Sequence, residues 1–594
     1  MRFVFAIVSL VIALVLAGYG IAQRTVLSGP DSLTATSDVS TDAPVTVIDG
    51  KTLNALEGRQ DLQISGSDTI FAAYGRTSDV LAWIGDASYN TIGYDSTTHE
   101  LTSELTSGTE DVVPSPAASD LWLQEYQGEN SLDVRVSLNE ELSIILVSDG
   151  TEPAPSTVSI TWPLDNRTPW AGPLVAAGGL MLLIALAFLL WALVHRRRTR
   201  GPRRKSIKPP KTPRMPKLPR QRSYRVNKPK AVTSARGRRS SRNMTAIVPV
   251  ALVSALALTG CSAELWPDLS GADPSPSASA STAAAPTEEL GPAAATVGQV
   301  KSIVRDVAKV AEAADAALDA EALKARFTGP ALELRVGNYA IRAKDSAYAP
   351  LPAIPNGSIE VTLPELLPLE TETWPRSIFA VVQNSEDTTI APVALMLIQQ
   401  APREQYKVNY AVSLEPNAVL PDLAPEGVGA PRLSPDTKLL SLAPDQLLAA
   451  YSDVLNLGET SASYGLFDIE KDTLIPGIGV EARAALKAKI PATASIEFAT
   501  APGAAETIAL ASNESGALVT VYLTETETVR PVEAGATVNP EGAVKTLSGL
   551  TGSTKGITAS YGDQLLFYIP PIGSSDKIVL LGFSQGLISA KEIA

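Results

Sequence analysis

Three apolar runs and two long patterned regions divide the chain. The runs are residues 3–18, behind Arg2; residues 172–194, with Trp170 and Trp191 near the ends; and residues 246–260, behind Arg236, Arg238, Arg239 and Arg242. As a helix rising about 1.5 Å per residue, the second run spans about 35 Å, enough for a bilayer core of about 30 Å. Residues 172–194 are therefore expected to be a transmembrane helix. Residues 1–23, ending in Gly20-Ile21-Ala22, read as either a transmembrane anchor or a signal peptide with small residues at the cleavage positions. The run at 244–260 is short for a permanent span and contains Pro249, as the apolar core of a signal peptide can.

Between the first two runs, residues 24–168 carry short alternating or β-branched segments at 45–48, 61–65, 70–74, 80–84, 132–136, 142–147 and 158–162, separated by Asp-Gly, Gly-Ser and Ser-Asp clusters. Evenly spaced short strands of this kind predict an all-β sandwich. Ser, Ala and Pro dominate 261–296, which reads as a tether. Beyond it, Val300, Val304, Val307, Ala311, Ala314 and Leu318 recur in steps of three and four, an amphipathic helix. Gly329-Pro330 breaks it before a second helical run to Ala343, and strand patterns follow at 359–363, 377–382, 393–398 and 406–414. The order then repeats. Helices at 444–455 and 480–489 precede strands at 495–499, 507–511, 517–524, 564–569 and 577–583. Two tandem α+β units, 297–425 and 440–594, are expected, each with helices first and an antiparallel sheet after them. The expected fold class is a multidomain membrane protein: an N-terminal β-sandwich, two to three transmembrane or signal helices, and a C-terminal α+β region.

Charge fixes the sidedness of this arrangement. The 594 residues hold 49 Lys and Arg against 63 Asp and Glu, a formal charge of −14. Twenty of those cations fall between Arg196 and Arg242 with no acid among them, so the remainder of the chain has 29 cations and lies near −34. Basic loops stay on the cytoplasmic side. The arm at 195–243 is thus cytoplasmic, and 24–168 and 262–594 are extracytoplasmic. Within the arm, Pro210, Pro213, Pro216 and Pro219 repeat every third position, with Lys211, Arg214, Lys217 and Arg220 one step behind. Polyproline II has three residues per turn, so the cations line one edge of a stiff rod. Such an edge suits anionic lipid headgroups or a cytoplasmic protein that reads Pro-x-x-Pro. Only Tyr224 interleaves the cations, which argues against nucleic acid.

Candidate chemistry is sparse. One cysteine, Cys261, and two histidines, His99 and His195, exclude a disulfide framework and most zinc sites. No cofactor or metal is expected. Gly582-Phe583-Ser584-Gln585-Gly586 has the spacing of a nucleophile elbow, but eight residues follow it and none is histidine. Gly477-Ile478-Gly479-Val480-Glu481-Ala482 has dinucleotide-loop spacing, yet Pro476 disfavours the strand that must precede it. Asp468, Glu470 and Asp472 alternate as at the start of a calcium loop, with Thr473 where the loop needs glycine. None of these is expected to be a site, so no catalytic residue is assigned.

Leu258-Thr259-Gly260-Cys261 is more specific. With the basic segment before it, the apolar run and the polar tether after it, it resembles the bacterial lipobox. The resemblance implies diacylglycerol on the Cys261 thiol and cleavage before it; two acyl chains would hold a helix that spans poorly. Over about 290–594 the chain resembles uncharacterised actinobacterial membrane proteins and lipoproteins ending in a domain of unknown function, through Asp315-Ala316-Ala317-Leu318-Asp319 and Phe327-Thr328-Gly329-Pro330-Ala331-Leu332. The tandem units look like the nuclear-transport-factor-two-like cone fold, which serves binding as often as catalysis. A non-enzymatic envelope protein that binds or scaffolds extracytoplasmic partners is expected. The alternatives are an exported hydrolase or carbohydrate-active enzyme built on carboxylate pairs, or a fusion of a two-span membrane protein with a separate lipoprotein.

Overall fold

The computed structural model describes residues 2–39, 42–164, 166, 168–198 and 291–594, apart from 369–372, 386 and 417. Most of the basic arm, including Lys211, Arg214, Lys217 and Arg220, lies outside the described residues. So do the apolar run at 244–260, the lipobox residues Leu258, Thr259, Gly260 and Cys261, and the tether to 290.

Helix α1 (Arg2–Thr25) leads into a β-rich region of eight strands: β1 (Ser32–Asp38), β2 (Val45–Ile48), β3 (Gln60–Arg76), β4 (Tyr89–Asp95), β5 (Glu100–Thr106), β6 (Gln124–Val136), β7 (Leu142–Val147) and β8 (Thr157–Pro163). Two helices interrupt them, α2 (Gly50–Leu53) and α3 (Thr77–Ile84), and α4 (Ala171–Arg198) follows. In the C-terminal region α5 (Val297–Ala317), α6 (Ala320–Leu323) and α7 (Gly329–Arg342) precede β9 (Ile359–Pro364), β10 (Arg376–Val382), β11 (Val393–Gln399) and β12 (Lys407–Leu414). Then α8 (Pro444–Leu457), α9 (Ile475–Ile478) and α10 (Val480–Lys489) precede β13 (Ala494–Pro502), β14 (Ile508–Ala511), β15 (Ala517–Pro531), β16 (Ile557–Ile569) and β17 (Val579–Glu592), with α11 (Gly542–Ser548) between β15 and β16. Two compact units result: Met1–Leu33 with Pro163–Ala284, and Thr34–Trp162 with Ala285–Ala594.

The first unit is an antiparallel pair of helices, each long and apolar enough to cross a membrane. Small residues face inward: Ala6, Ala13 and Gly20 of α1 and Ala171, Gly178 and Ala185 of α4 are buried. A Cβ on Gly178 would lie 2.7 Å from the backbone nitrogen of Ala17, so only glycine allows this approach. The Phe5 and Phe188 rings meet at 6.2 Å.

In the second unit, the β-rich region is one mixed sheet, in the order β1-β8-β3-β7-β2-β4-β5 with β6 on β3. Two separate sheets were expected. Strand β3 joins what would be two, because it runs 17 residues, changes register after Ser65, and pairs β8 with its first part and β7 with its second. The sheet curls. Strands β8 and β4 stand four places apart, about 19 Å in a flat sheet, yet the Trp162 and Tyr94 rings lie 5.0 Å apart. One core fills the concave side, around Ile64, Ile92, Ile144 and Trp162. A second core on the other face packs Val45, Phe71 and Ile145 against Val80, Trp83 and Trp122.

The region is not all-β, and the strand expected at 80–84 is a correction. Asp79, Val80, Trp83 and Ile84 are the buried residues of α3. Their three-to-four spacing is helical, and the β-branched residues at its ends had disguised it. Strands β4 and β5 were not expected, because Asn90, Gly93 and Asp95 in one and Glu100, Ser103 and Glu104 in the other interrupt their apolar positions.

The C-terminal region forms a single nine-stranded antiparallel sheet in the order β13-β15-β16-β17-β12-β11-β10-β9, with β14 on β15. Its two halves meet where Ser413 and Leu414 of β12 pair with Phe583 and Gly582 of β17. Alternate residues serve different cores. Ile378, Ala380 and Val382 of β10 pack on α5, whereas Phe379 and Val381 enter a core shared with Leu518 and Tyr522 of β15. In the other half, Val519, Val521 and Leu523 pack beneath α8 with Leu447 and Tyr451. With both faces covered, the strands read as continuous apolar runs. Helix α5 starts in a capping box, Thr296 with Gln299, and buries the predicted stripe of Val300, Val304, Val307, Ala311 and Ala314.

Candidate functional site: an arginine-anchored interface

Within the second unit, the β-rich and C-terminal regions meet through charged side chains. Helix α3 is held at both ends. In its first turn, Asp79 accepts a 2.7 Å hydrogen bond from Nη1 of Arg376, the first residue of β10. That guanidinium lies 3.7 Å from the centre of the Trp374 ring, and the Arg376 and Asp79 side chains are only 1% and 3% exposed. At the other end, Arg403 donates from Nε to the Trp83 carbonyl at 2.8 Å and from Nη2 to the Ile84 carbonyl at 2.6 Å. The last carbonyls of a helix lack intrahelical partners and carry partial negative charge, so a guanidinium both satisfies and neutralises them. Nη1 of Arg403 also pairs with Glu110 at 2.8 Å.

A second anchor lies in the loop between β5 and β6. Asp120 takes both arms of Arg326, with Nη2 donating to Oδ1 at 3.1 Å, and accepts from the Tyr406 backbone N–H at 2.6 Å. The two side chains are 4% and 5% exposed. Burial pushes the Asp120 carboxyl above its ordinary range, against the pull of Arg326 and the Tyr406 N–H. Around it, Gln299 of α5 donates to the Asp120 and Leu121 carbonyls at 3.1 and 3.0 Å, and Gln405 donates to that of Ala118 at 3.0 Å. In the reverse sense, Arg76 of β3 donates to the Ala293 carbonyl.

The motifs weighed in the sequence are all used locally. Ser584 lies inside β17 opposite Gln564, and its Oγ accepts from the Ser413 backbone at 3.2 Å. It is not on a strand-to-helix turn. The preceding Gly582 is there because a Cβ would run into the Ser413 carbonyl of β12. His99 bonds the Tyr94 hydroxyl at 2.8 Å in the β-rich region. Gly479 follows helix α9, not a strand, and begins α10. Asp472 accepts from the Leu474 and Ile475 N–H groups and the Tyr451 hydroxyl, so it is a turn-and-cap residue. Among the described residues, no three potential metal ligands converge.

Sequence reading passed over one more polar cluster. Glu525, Glu527 and Asp563 sit on β15 and β16, where the alternation Thr524-Glu525-Thr526-Glu527 reads as an exposed strand. Glu525 is nevertheless buried against Arg483 of α10 at 3.3 Å. Asp563 is fully buried, and its oxygens make no well-formed hydrogen bond. Burial and neighbouring Glu525 push its pKa up to about 7, against the weaker pull of Gln585 and Arg483. At 0% exposure its carboxyl is closed to a substrate.

The interface residues Asp79, Asp120, Arg326, Arg376 and Arg403 were missed as well. The usable signal was an arginine opening an otherwise apolar strand, Arg376-Ser377-Ile378-Phe379, in a region poor in cations.

Fold and interface define a class: a curled β-rich region joined through buried arginines to an α+β domain, in a chain with two membrane-length helices. The chain belongs to the family defined by the Domain of unknown function (DUF8094), whose profile matches residues 292–592, just over half its length. No curated protein and no solved structure matches it.

Proposed function

We propose that this chain is a non-enzymatic, membrane-anchored protein of the bacterial cell envelope that binds or scaffolds partners outside the cytoplasm. The build of the α1–α4 pair carries the reading. Its contact face is small residues, while Leu14 and Val15 are 63% exposed and Leu180 is 61% exposed. Water would drive those side chains inward. Lipid leaves them outside and brings helices together through alanine and glycine. On this reading α1 is a retained anchor, because its small-residue face fits α4.

The charge pattern places 195–243 inside and 24–168 and 262–594 outside. Lys211, Arg214, Lys217 and Arg220 then face anionic lipid or a cytoplasmic protein, and Cys261 carries a lipid anchor in the manner of the lipobox. The nuclear-transport-factor-two-like cone is proposed from the order of helices before strands in each half of the C-terminal sheet, and the kinship with actinobacterial envelope proteins from the sequence resemblance over about 290–594 alone. A binding role fits better than a carboxylate-based hydrolase, since Asp79, Asp120 and Glu525 are tied to arginines.

The test is to tag both ends, fractionate the cells, and compare fragment sizes with and without a lipoprotein signal peptidase inhibitor. Both tags should stay with carbonate-washed membranes, and the C-terminal fragment should lengthen under inhibitor. Release of the N-terminal tag from the membrane would sink the anchored reading. A single full-length band in both conditions would sink lipidation at Cys261.

A further inference from the structure

We infer that residues 34–162 and 291–594 are a recognition pair, whose association does not depend on the chain that joins them. The partner of the C-terminal region is thus a β-rich surface that offers a helix with Asp79 in its first turn and the Trp83 and Ile84 carbonyls at its end, beside a loop that presents Asp120.

Three observations converge. First, the hydrophobic cores are segregated. Those around Ile64 and Val80 belong to the β-rich region, and those around Val304, Val519, Phe379 and Ile341 to the C-terminal region. Among the described residues Trp374 is the hydrophobic side chain that crosses, partly buried and packed on the Val80 core. Two parts of one folding unit would share a core; these parts each complete their own.

Second, the contact is made of the groups that separate molecules use to recognise one another. Arginine is enriched at protein interfaces, and desolvated charge pairs give specificity there. Arg326, Arg376 and Arg403 on one side meet Asp79, Asp120 and two helix-end carbonyls on the other. When the parts separate, water solvates these charged groups and carbonyls again.

Third, the covalent route between the parts is long. It leaves β8 at Pro163 and re-enters at the Ala293 contact, passing through α4 and residues 199–290. A tether of this many residues adds less to the local concentration of the two parts than a short one would, so more of the docked arrangement rests on the interface itself. Processing before Cys261 would then yield two chains that stay together.

The experiment uses the full chain. A specific protease sequence is inserted within 221–235, and the protein is extracted in mild detergent, cut, and captured by an N-terminal tag. The C-terminal piece should co-elute in equal amount through gel filtration. Arg326→Ala combined with Arg376→Ala should release it at least tenfold faster after cutting. The near-isosteric pair Asp79→Asn and Asp120→Asn should act likewise from the other side, so a misfolded arginine variant does not leave the question open. Limited proteolysis of the uncut variants should give the same two resistant pieces as the parent. Separation of the parent's pieces on cutting would overturn the inference, as would an Asn variant that holds on as tightly as the parent.

Discussion

Asp79 and Asp563 bury a carboxylate in two different ways. Asp79 is matched by Arg376 at 2.7 Å, with Arg76 farther off at 3.9 Å, so removing Asp79 leaves the buried Arg376 guanidinium without a carboxylate, a loss of about 3–5 kcal/mol. Asp563 has no such partner, and burial with Glu525 alongside pushes it up to about 7. Its folded-state value therefore lies above that of the unfolded chain, near 3.8. The folded form holds the proton more tightly. The stability this proton confers is complete below about pH 4 and is lost as the pH rises through about 7. Asp563→Asn is neutral at every pH. It should stabilise the protein on the order of 3 kcal/mol at pH 8 and have little effect at pH 4. Urea unfolding at the two pH values checks this, and an equal effect at both would show that Asp563 is well partnered. No local pattern marked Asp563, because Ser560, Gly562 and Gln564 around it read as a polar stretch and the groups that surround it come from other elements, Arg483 of α10 and Glu525 of β15 among them.

At the scale of elements, amphipathic periodicity was legible where one face alone is buried. The α5 stripe is the example; the central strands of the C-terminal sheet were legible instead as continuous apolar runs, because both of their faces are covered. Helix α3 escaped because eight residues give barely two turns of pattern, and the arginines that hold its two ends come from 297 and 320 positions away. The α1–α4 pair was legible as two apolar runs, but its contact was not, since alanine and glycine look alike on every face of an apolar helix. Gly178→Leu should wedge the pair apart. In a Cys261→Ser background, cysteines at Phe5→Cys and Phe188→Cys, whose parent rings lie 6.2 Å apart, should crosslink in membranes. Adding Gly178→Leu should cut the yield severalfold, and an unchanged yield would refute the small-residue contact.

At the scale of the whole molecule, separate cores and a charged contact predict two linked unfolding events. Calorimetry on the detergent-extracted chain should show them close together. Asp79→Asn with Asp120→Asn should draw them apart, because each region would then unfold without the other's support; a single unmoved transition would argue for one shared core. The composition and order of residues determined the apolar runs, the acid-free block of cations at 196–242, the lipobox-like segment and most helices and strands. These depend on neighbours within a few turns, and hydrophobic periodicity records such neighbours directly. Only the tertiary structure decided that β3 joins all the N-terminal strands into one curled sheet, that both halves of the C-terminal region share a sheet, and that Asp120 meets Arg326 across 206 residues. An ion pair needs two side chains at one point in space. A chain whose surface is rich in acids gives no local sign of which of them will be desolvated against an arginine.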